Sequence, residues 1–245
     1  MSFNLETVIL GLWALVTVAA TLQSLSGFGF ALMVMPVLSV FLGVRTAAPL
    51  VALLGWTLYL MNVVRHRSHW CGQDISRLAF ASAVGVPMGF FLLSAVDDRW
   101  IIVVLGALVF GFAVYSLVQP KVRRDVPRWG IYLAGFLGGC LGAAYNTYGP
   151  PVIVYGRLAG WSRERFRATL QGFFLLTATL VVVSHGLAGY LTASVVRLYL
   201  WSVPALIGGV MLGGRMDHRL SSQGFRRLVA VLLMVVGISL LSRGW

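Results

Sequence analysis

The sequence predicts an all-α integral membrane protein, and three observations support this fold class. Of the 245 residues, 59% are hydrophobic and only 11% are charged, whereas a soluble domain carries about 25% charged residues. Long apolar runs recur along the chain, many close to the length of about 20 residues that a helix needs to cross a bilayer. Arginines cluster in short segments between these runs, as they do in the cytoplasmic loops of membrane proteins.

About ten membrane helical segments are expected from the apolar runs. In chain order they cover residues 5–22, 28–42, 46–64, 78–96, 100–118, 129–143, 149–158, 168–185, 191–212 and 228–241. The second and the seventh are short for a full crossing. Helix pairs that contain them could instead form re-entrant hairpins, which leaves eight segments as full spans.

The distribution of cations predicts the orientation in the membrane. Four basic connections are placed in the cytoplasm: residues 65–77, 121–128, 157–167 and 215–227. This gives an alternating, multi-pass path through the cytoplasmic membrane with both termini outside. It also accounts for the net charge of +12 without a nucleic-acid partner. The first seven residues hold no Lys or Arg, so the first apolar segment is expected to be retained rather than cleaved as a signal peptide.

The basic linker 121–128 divides the chain into two membrane repeats, 1–120 and 129–245. At an offset of 120 residues Gly29 falls on Gly149 and Arg45 on Arg165. Because each half holds an odd number of segments, five, the halves would insert in opposite orientations. The sequence therefore predicts two inverted repeats, an arrangement found in many secondary transporters.

Two polar, glycine-bearing breaks interrupt apolar runs, one at 23–36 and one at 142–151. Backbone that leaves the helix in lipid must find partners in protein, water or a ligand. A helix that resumes after a glycine presents unpaired N–H groups and the positive end of its dipole, which suits an anion. The candidate substrate-binding residues are Gln23, Ser24, Ser26, Gly27, Phe28, Gly29, Asn146, Thr147, Tyr148, Gly149, Pro150 and Gln171. The alternative is that the glycines only allow close helix packing and that Gln23 and Gln171 form interhelical hydrogen bonds.

Arg45 and Arg165 follow the short helix of each half. As a hypothesis, they attract an anion at opposite mouths of the site or act as gates. The alternative is that both side chains extend to the membrane interface, as arginines near helix ends commonly do.

The acidic residues argue against a metal site and against a carboxylate proton relay inside the membrane. The sequence places all seven in loops or at termini: Glu6, Asp74, Asp97, Asp98, Asp125, Glu164 and Asp217. His185, at the end of a segment, is expected at the interface. The sequence offers no paired nucleophile and base and no zinc motif, so neither an enzyme nor a cofactor is expected.

Two short motifs carry a resemblance to a known family: Ser26-Gly-Phe-Gly-Phe-Ala with the downstream Pro36, and Thr147-Tyr-Gly-Pro-Pro in the second half. With these motifs the chain resembles the TauE/SafE-type sulfite exporter family, also called the toluene-sulfonate uptake permease family. The resemblance implies a secondary transporter of sulfite, a sulfonate or a related organosulfur anion. The alternatives are an anion channel, a non-transporting membrane subunit and, ranked below these, a membrane-embedded enzyme. The expected partners are the anion and the lipid bilayer, and a homodimer is left open.

Overall fold

The computed structural model describes residues 5–66, 72–118 and 126–216, together with six single positions between 231 and 242. Over the three continuous ranges the chain folds into nine helices. They are α1 Leu5–Ser26, α2 Phe30–Leu42, α3 Val44–His66, α4 Gly72–Ala95, α5 Asp98–Val118, α6 Gly130–Tyr145, α7 Gly149–Leu158, α8 Arg163–Leu187 and α9 Ala193–Met216. No strand occurs among these residues. The all-α prediction is therefore confirmed for the part of the chain that is described.

Three helices in the described ranges are long and apolar enough to cross a membrane: α3, α8 and α9. Shorter apolar helical stretches lie in α1, α2, α5 and α6. This is the composition of a multi-pass membrane protein, while a count of ten crossings is not established. The expected tenth segment, 228–241, falls largely outside the described residues, and its described positions are helical.

Some helices are longer than the apolar runs that predicted them, so residues expected in loops lie in helices. This corrects the expectations for 163–167 and for Asp74. Arg163 to Arg167 form the first turns of α8 rather than a loop, and Ser162 caps this helix by accepting a hydrogen bond from the Arg165 amide at 3.2 Å. Asp74 is not in a loop either. It lies in the first turn of α4 and is buried, where a carboxylate interacts favourably with the positive end of the helix dipole.

Small residues allow the closest helix contacts in the core. α6 packs on α4 and α9 packs on α1, and each contact uses glycines four residues apart, as helix pairs in membranes commonly do. A Cβ added to one of these glycines would lie 2.5 to 2.7 Å from a carbonyl oxygen of the facing helix. The pairs are Gly135 with Leu78, Gly139 with Ser82, Gly209 with Thr17 and Gly213 with Thr21.

α6 and α7 form an antiparallel helical hairpin. A Cβ on Gly130, at the start of α6, would lie 3.2 Å from the ring of Tyr155, near the end of α7. A Cβ on Gly138 would lie 3.1 Å from the carbonyl oxygen of Tyr148, just before α7. The 10 residues of α7 span only about 15 Å, half of the hydrocarbon thickness. For the second break, the geometry therefore favours the re-entrant alternative over two full crossings.

The packing between the two halves of the chain is reciprocal. α3 and α8 lie against each other, α3 also contacts α9, and α8 also contacts α4. Thr57 on α3 shares a hydrogen bond with Tyr199 on α9 at 2.8 Å, and Thr177 on α8 shares one with Ser82 on α4 at 3.0 Å. Thr57 and Thr177 lie 120 positions apart, and Ser82 and Tyr199 lie 117 apart. The two hydrogen bonds thus join nearly corresponding positions of the two halves.

His185 is not at the interface. It is fully buried, and its ring centroid lies 5.5 Å from that of Phe90 and 6.0 Å from that of Tyr190. The expectation from sequence was wrong because the turn after α8 folds Tyr190 back over the helix end, where the Tyr190 amide donates to the carbonyl oxygen of His185 at 2.9 Å.

Candidate functional site

The first break separates α1 from α2 at residues 27–29. Gly27 and Gly29 have positive φ angles of 86° and 115°, a region that side chains with a Cβ rarely adopt. The left-handed Gly29 stands as the N-cap of α2. For this reason α2 begins at Phe30, two residues later than the sequence predicted.

Gln23 bridges the first break with both ends of its amide. Its Oε1 accepts from the Phe30 amide at 3.0 Å, and its Nε2 donates to the carbonyl oxygen of Gly27 at 3.1 Å. Gln171, on α8, donates to the same carbonyl oxygen at 2.7 Å. The two glutamines thus pair backbone groups that the interrupted helix leaves without partners.

The two serines of the first break have different surroundings. Ser26 Oγ lies 2.7 Å from the Leu22 carbonyl oxygen, one turn back in α1, and 2.5 Å from the Phe28 carbonyl oxygen inside the break, and it accepts from the Phe28 amide at 3.3 Å. Ser24 is buried towards α9, where a Cβ on Gly213 would lie 2.8 Å from the Ser24 Cβ. Their role here is helix packing and local hydrogen bonding.

The second break turns at Asn146, which has φ 54° and is the single non-glycine residue of the described chain with positive φ. Asparagine tolerates this conformation better than most residues. Its Nδ2 donates to the Ala48 carbonyl oxygen on α3 at 2.8 Å, and its Oδ1 accepts from the Tyr148 hydroxyl at 3.2 Å. Thr147 is also buried, and its hydroxyl donates to the Tyr145 carbonyl oxygen at 3.0 Å. Asn146 ties the second break to the first half of the chain, just as Gln171 ties the first break to the second half.

The two breaks border one cavity of about 20 Å³. Seven of the predicted site residues line it: Gln23, Phe28, Gly29, Asn146, Thr147, Tyr148 and Gly149. Ala31, Leu32, Tyr59 and Phe174 complete the wall. A cavity of this size holds about one water molecule, and it is smaller than a sulfite or sulfonate ion.

Both short helices point their N-termini at this cavity. Ala31 and Leu32 lie in the first turn of α2, whose N–H groups have no acceptor within the helix. α7 begins at Gly149, and the prolines at 150 and 151 remove two N–H groups from its first turn. Each N-terminus carries roughly half a positive charge from the helix dipole. No charged side chain is among the residues that line the cavity.

An aromatic cluster closes one side of the cavity. The ring centroids of Tyr59 and Phe174 lie 5.2 Å apart, and Tyr148 lies 6.1 Å from Tyr59 and 5.8 Å from Phe174. Sequence analysis missed Tyr59 and Phe174, because both lie inside apolar helices. A partial signal existed for Phe174, which follows the polar Gln171 by one helical turn.

Five predicted substrate-binding residues do not line the cavity. Gly27 and Gln171 reach it only through the hydrogen bonds described above. Ser24 is buried towards α9, Ser26 bonds to the backbone of the cavity-lining Phe28, and Pro150 lines an apolar groove on the other side of α7.

The two predicted arginines are also outside the cavity wall. Arg45 is exposed in the first turn of α3. Arg165 donates from Nε to the buried carboxylate of Asp74 at 3.0 Å, and its guanidinium carbon lies 5.6 Å from the centre of the Trp161 ring. Two residues later, the stem of half-buried Arg167 covers Gly27, where an added Cβ would lie 3.3 Å from Arg167 Cγ.

Comparison with known proteins identifies the family. The model of the sulfite exporter TauE/SafE family matches residues 12–240. The chain belongs to the TauE/SafE family. Its members are transporters, so the chain is a multi-pass membrane transporter and not an enzyme.

Two curated relatives resemble the chain. The probable inner membrane transporter protein TsaS of Comamonas testosteroni is 28% identical over 165 residues, which cover 66% of this chain and 69% of the relative. The probable sulfite/organosulfonate exporter TauE of Cupriavidus necator is 25% identical over 248 positions, which cover 98% of this chain and 96% of the relative. No solved structure matches the chain.

Proposed function

We propose that the chain is a secondary transporter that moves a small sulfur-containing anion (sulfite, a sulfonate or a sulfoacetate-like ion) across the cytoplasmic membrane. The observation that carries this proposal is the meeting of two helix N-termini at one cavity. Family membership and the sulfite and organosulfonate named for the Cupriavidus relative support the choice of anion.

The anion binds to backbone groups rather than to a cation. Its oxygens accept from the first-turn amides of Ala31 and Leu32 on α2 and from the Gly149 amide on α7. The aromatic rings of Tyr59 and Phe174 keep water out, which strengthens these interactions. Asn146 holds the second break in place while both ends of its amide are engaged.

Binding requires the cavity to widen, because about 20 Å³ is too small for the anion. The contacts that must change are the hydrogen bonds that join each break to a helix of the other half, Gln171 to Gly27 and Asn146 to Ala48. Movement of one half against the other alters both bonds together. This is the motion that alternating access requires.

The two halves, 1–120 and 129–245, act in this proposal as inverted repeats joined by the basic cytoplasmic linker 121–128. The reciprocal packing supports the repeat: α3 contacts α9 as α8 contacts α4, and the hydrogen bonds of Thr57 and Thr177 occupy nearly corresponding positions. The termini lie outside in this arrangement. Membrane potential alone can drive anion export, at about 2.3 kcal/mol per charge for each 100 mV.

Flux measurement in vesicles tests the proposal. We expect the purified chain, reconstituted in lipid vesicles, to transport labelled sulfite or a sulfonate with saturable kinetics. Asn146→Leu should abolish transport, because it removes the bond to Ala48 and a polar wall of the cavity. Absence of flux for every sulfur anion tried, or wild-type flux in Asn146→Leu, would contradict the proposed site.

A further inference from the structure

A second, much larger space lies on the opposite side of α7 from the cavity. It is a groove of about 800 Å³ between α5, α6 and α7, and nearly all its lining side chains are apolar. Leu133 and Leu137 in its wall are 48% and 41% exposed, so the groove opens to the outside of the helix bundle. In a membrane protein, that outside is lipid.

The dimensions of the groove match one leaflet of a bilayer. Its wall on α6 runs from Gly130 to Leu141, a rise of about 16 Å at 1.5 Å per residue, against about 15 Å for half of the hydrocarbon core. The inner end lies at Pro150, beside the second break, and the outer end lies at Val126 and Trp129. The groove therefore runs from the middle of the membrane to one surface.

The outer end of the groove is positively charged. Tyr115 lines this end, and the guanidinium carbon of Arg157 lies 5.6 Å from the centre of its ring. Arg128, which is exposed, lies between Val126 and Trp129 in the sequence. Apolar walls that lead to a basic mouth complement an amphipathic anion, with a hydrocarbon chain and a charged head.

We propose that this groove binds an anionic phospholipid of the leaflet on the linker side, with one acyl chain between α5, α6 and α7 and its phosphate at Arg157. Basic segments beside a membrane helix attract anionic lipids, and arginine suits a phosphate group because it donates two hydrogen bonds at once. The site does not depend on which anion the protein transports.

Two other occupants fit the structure less well. Gly237, one of the described positions near the carboxy terminus, lies against another face of α5, because its added Cβ would approach the backbone nitrogen of Phe110 at 2.8 Å. At about 100° per residue, Phe110 lies about 130° around α5 from the centre of the face that lines the groove, Ala107 to Tyr115. A second copy of the chain would bring its own basic linker to the same mouth, and like charges oppose that contact.

Helix α7 separates the groove from the cavity between the two breaks. Pro150 lines the groove, whereas Tyr148 and Gly149 line the cavity. A bound acyl chain would therefore support the short helix from behind and fix its position.

Photo-crosslinking tests the proposal with the full chain in vesicles. The probes are phosphatidylglycerol and phosphatidylcholine, each with a photoreactive group on one acyl chain, in otherwise identical phosphatidylcholine vesicles. We expect phosphatidylglycerol to label the peptides of α5, α6 and α7, and phosphatidylcholine to label them about fivefold less, the effect of one arginine near an anionic head group. Equal labelling by both lipids, or crosslinks between two copies of the chain through these helices, would overturn the proposal.

Matched variants distinguish lipid labelling inside the groove from labelling of the rest of the lipid-facing surface. Gly111→Leu fills the groove, whereas Gly208→Leu on α9 is the control, since a Cβ meets nothing within 4 Å at either glycine. Labelling of α5 to α7 should be lost in the first variant and kept in the second. Leu137→Trp provides a second filling variant in case Gly111→Leu does not fold. Arg157→Gln should remove the preference for phosphatidylglycerol, while Arg197→Gln on α9 should keep it. Unchanged labelling in both filling variants would refute the groove, and an unchanged preference in Arg157→Gln would refute the head-group contact.

Discussion

Replacing Gly29 by alanine tests the anion site through a single methyl group. Gly29 has φ 115°, lines the cavity, and would direct a Cβ into space with no atom within 4 Å. A methyl group on Gly29 stands beside the first-turn amides of α2, where the proposed anion binds. The anion would then lose at least one hydrogen bond to the first-turn amides of α2. A bond to a charged group contributes about 1.5–3 kcal/mol, so we expect affinity to fall about ten- to a hundredfold.

Gly43→Ala is the matched control for this experiment. Gly43 also has a positive φ, 75°, with nothing within 4 Å of an added Cβ, but it is exposed and lies after α2. Alanine is strained at both positions, at Gly29 in the left-handed region and at Gly43, with ψ 155°, in a region essentially confined to glycine. Thermal unfolding should therefore show a loss of stability in both variants. Concentration dependence of sulfite or sulfonate flux in vesicles then separates the two. An equal loss of affinity in both variants would refute the assignment of the cavity.

Three further substitutions follow from the contacts around the site. Gln171→Leu removes one hydrogen-bond donor from the Gly27 carbonyl oxygen and should lower the free energy of unfolding by about 1–3 kcal/mol. The melting temperature in detergent measures this loss, and an unchanged value would contradict the role of Gln171 in joining the two halves. Gly139→Ala places a Cβ 2.6 Å from the carbonyl oxygen of Ser82, so thermal unfolding should show a clear loss of stability, whereas Gly208→Ala has open space and should be nearly neutral. Arg165→Gln should lower stability by more than the roughly 1 kcal/mol of an exposed ion pair, because it leaves the Asp74 carboxylate, 9% exposed, without this partner. If Arg165 only pairs with Asp74, the variants Arg165→Gln and Asp74→Asn should have the same flux at low substrate, and a larger loss in Arg165→Gln would instead support anion attraction.

The positions of both breaks could be predicted from sequence, because glycine and polar residues inside an apolar run have few explanations other than an interruption of the helix. The start of α7 at Gly149 was found from sequence for the same reason, since Pro150 and Pro151 favour the first turn of a helix. The start of α2 was placed two residues early, at Phe28, because its position depends on the left-handed backbone of Gly29.

Pairings between distant residues were beyond the reach of sequence reasoning. For Arg165 the sequence offered anion attraction as a hypothesis and a place at the membrane interface as the alternative, and its pairing with Asp74, 91 positions away, was not foreseen. Gln23 and Gln171 were identified as polar residues of the site, and the alternative of an interhelical hydrogen bond was left open. Their common acceptor, the Gly27 carbonyl oxygen, depends on the approach of α8 to the first break, which no local pattern encodes.

Asn146 performs two tasks that other side chains would divide between them. It supplies the left-handed turn, and its amide joins α3 to Tyr148. Glycine at this position would keep the bend and lose the tether, whereas glutamine would keep an amide but strain the bend. Asn146→Gly and Asn146→Gln together therefore separate two contributions of this residue: the shape of the backbone turn and the coupling of that turn to a neighbouring helix.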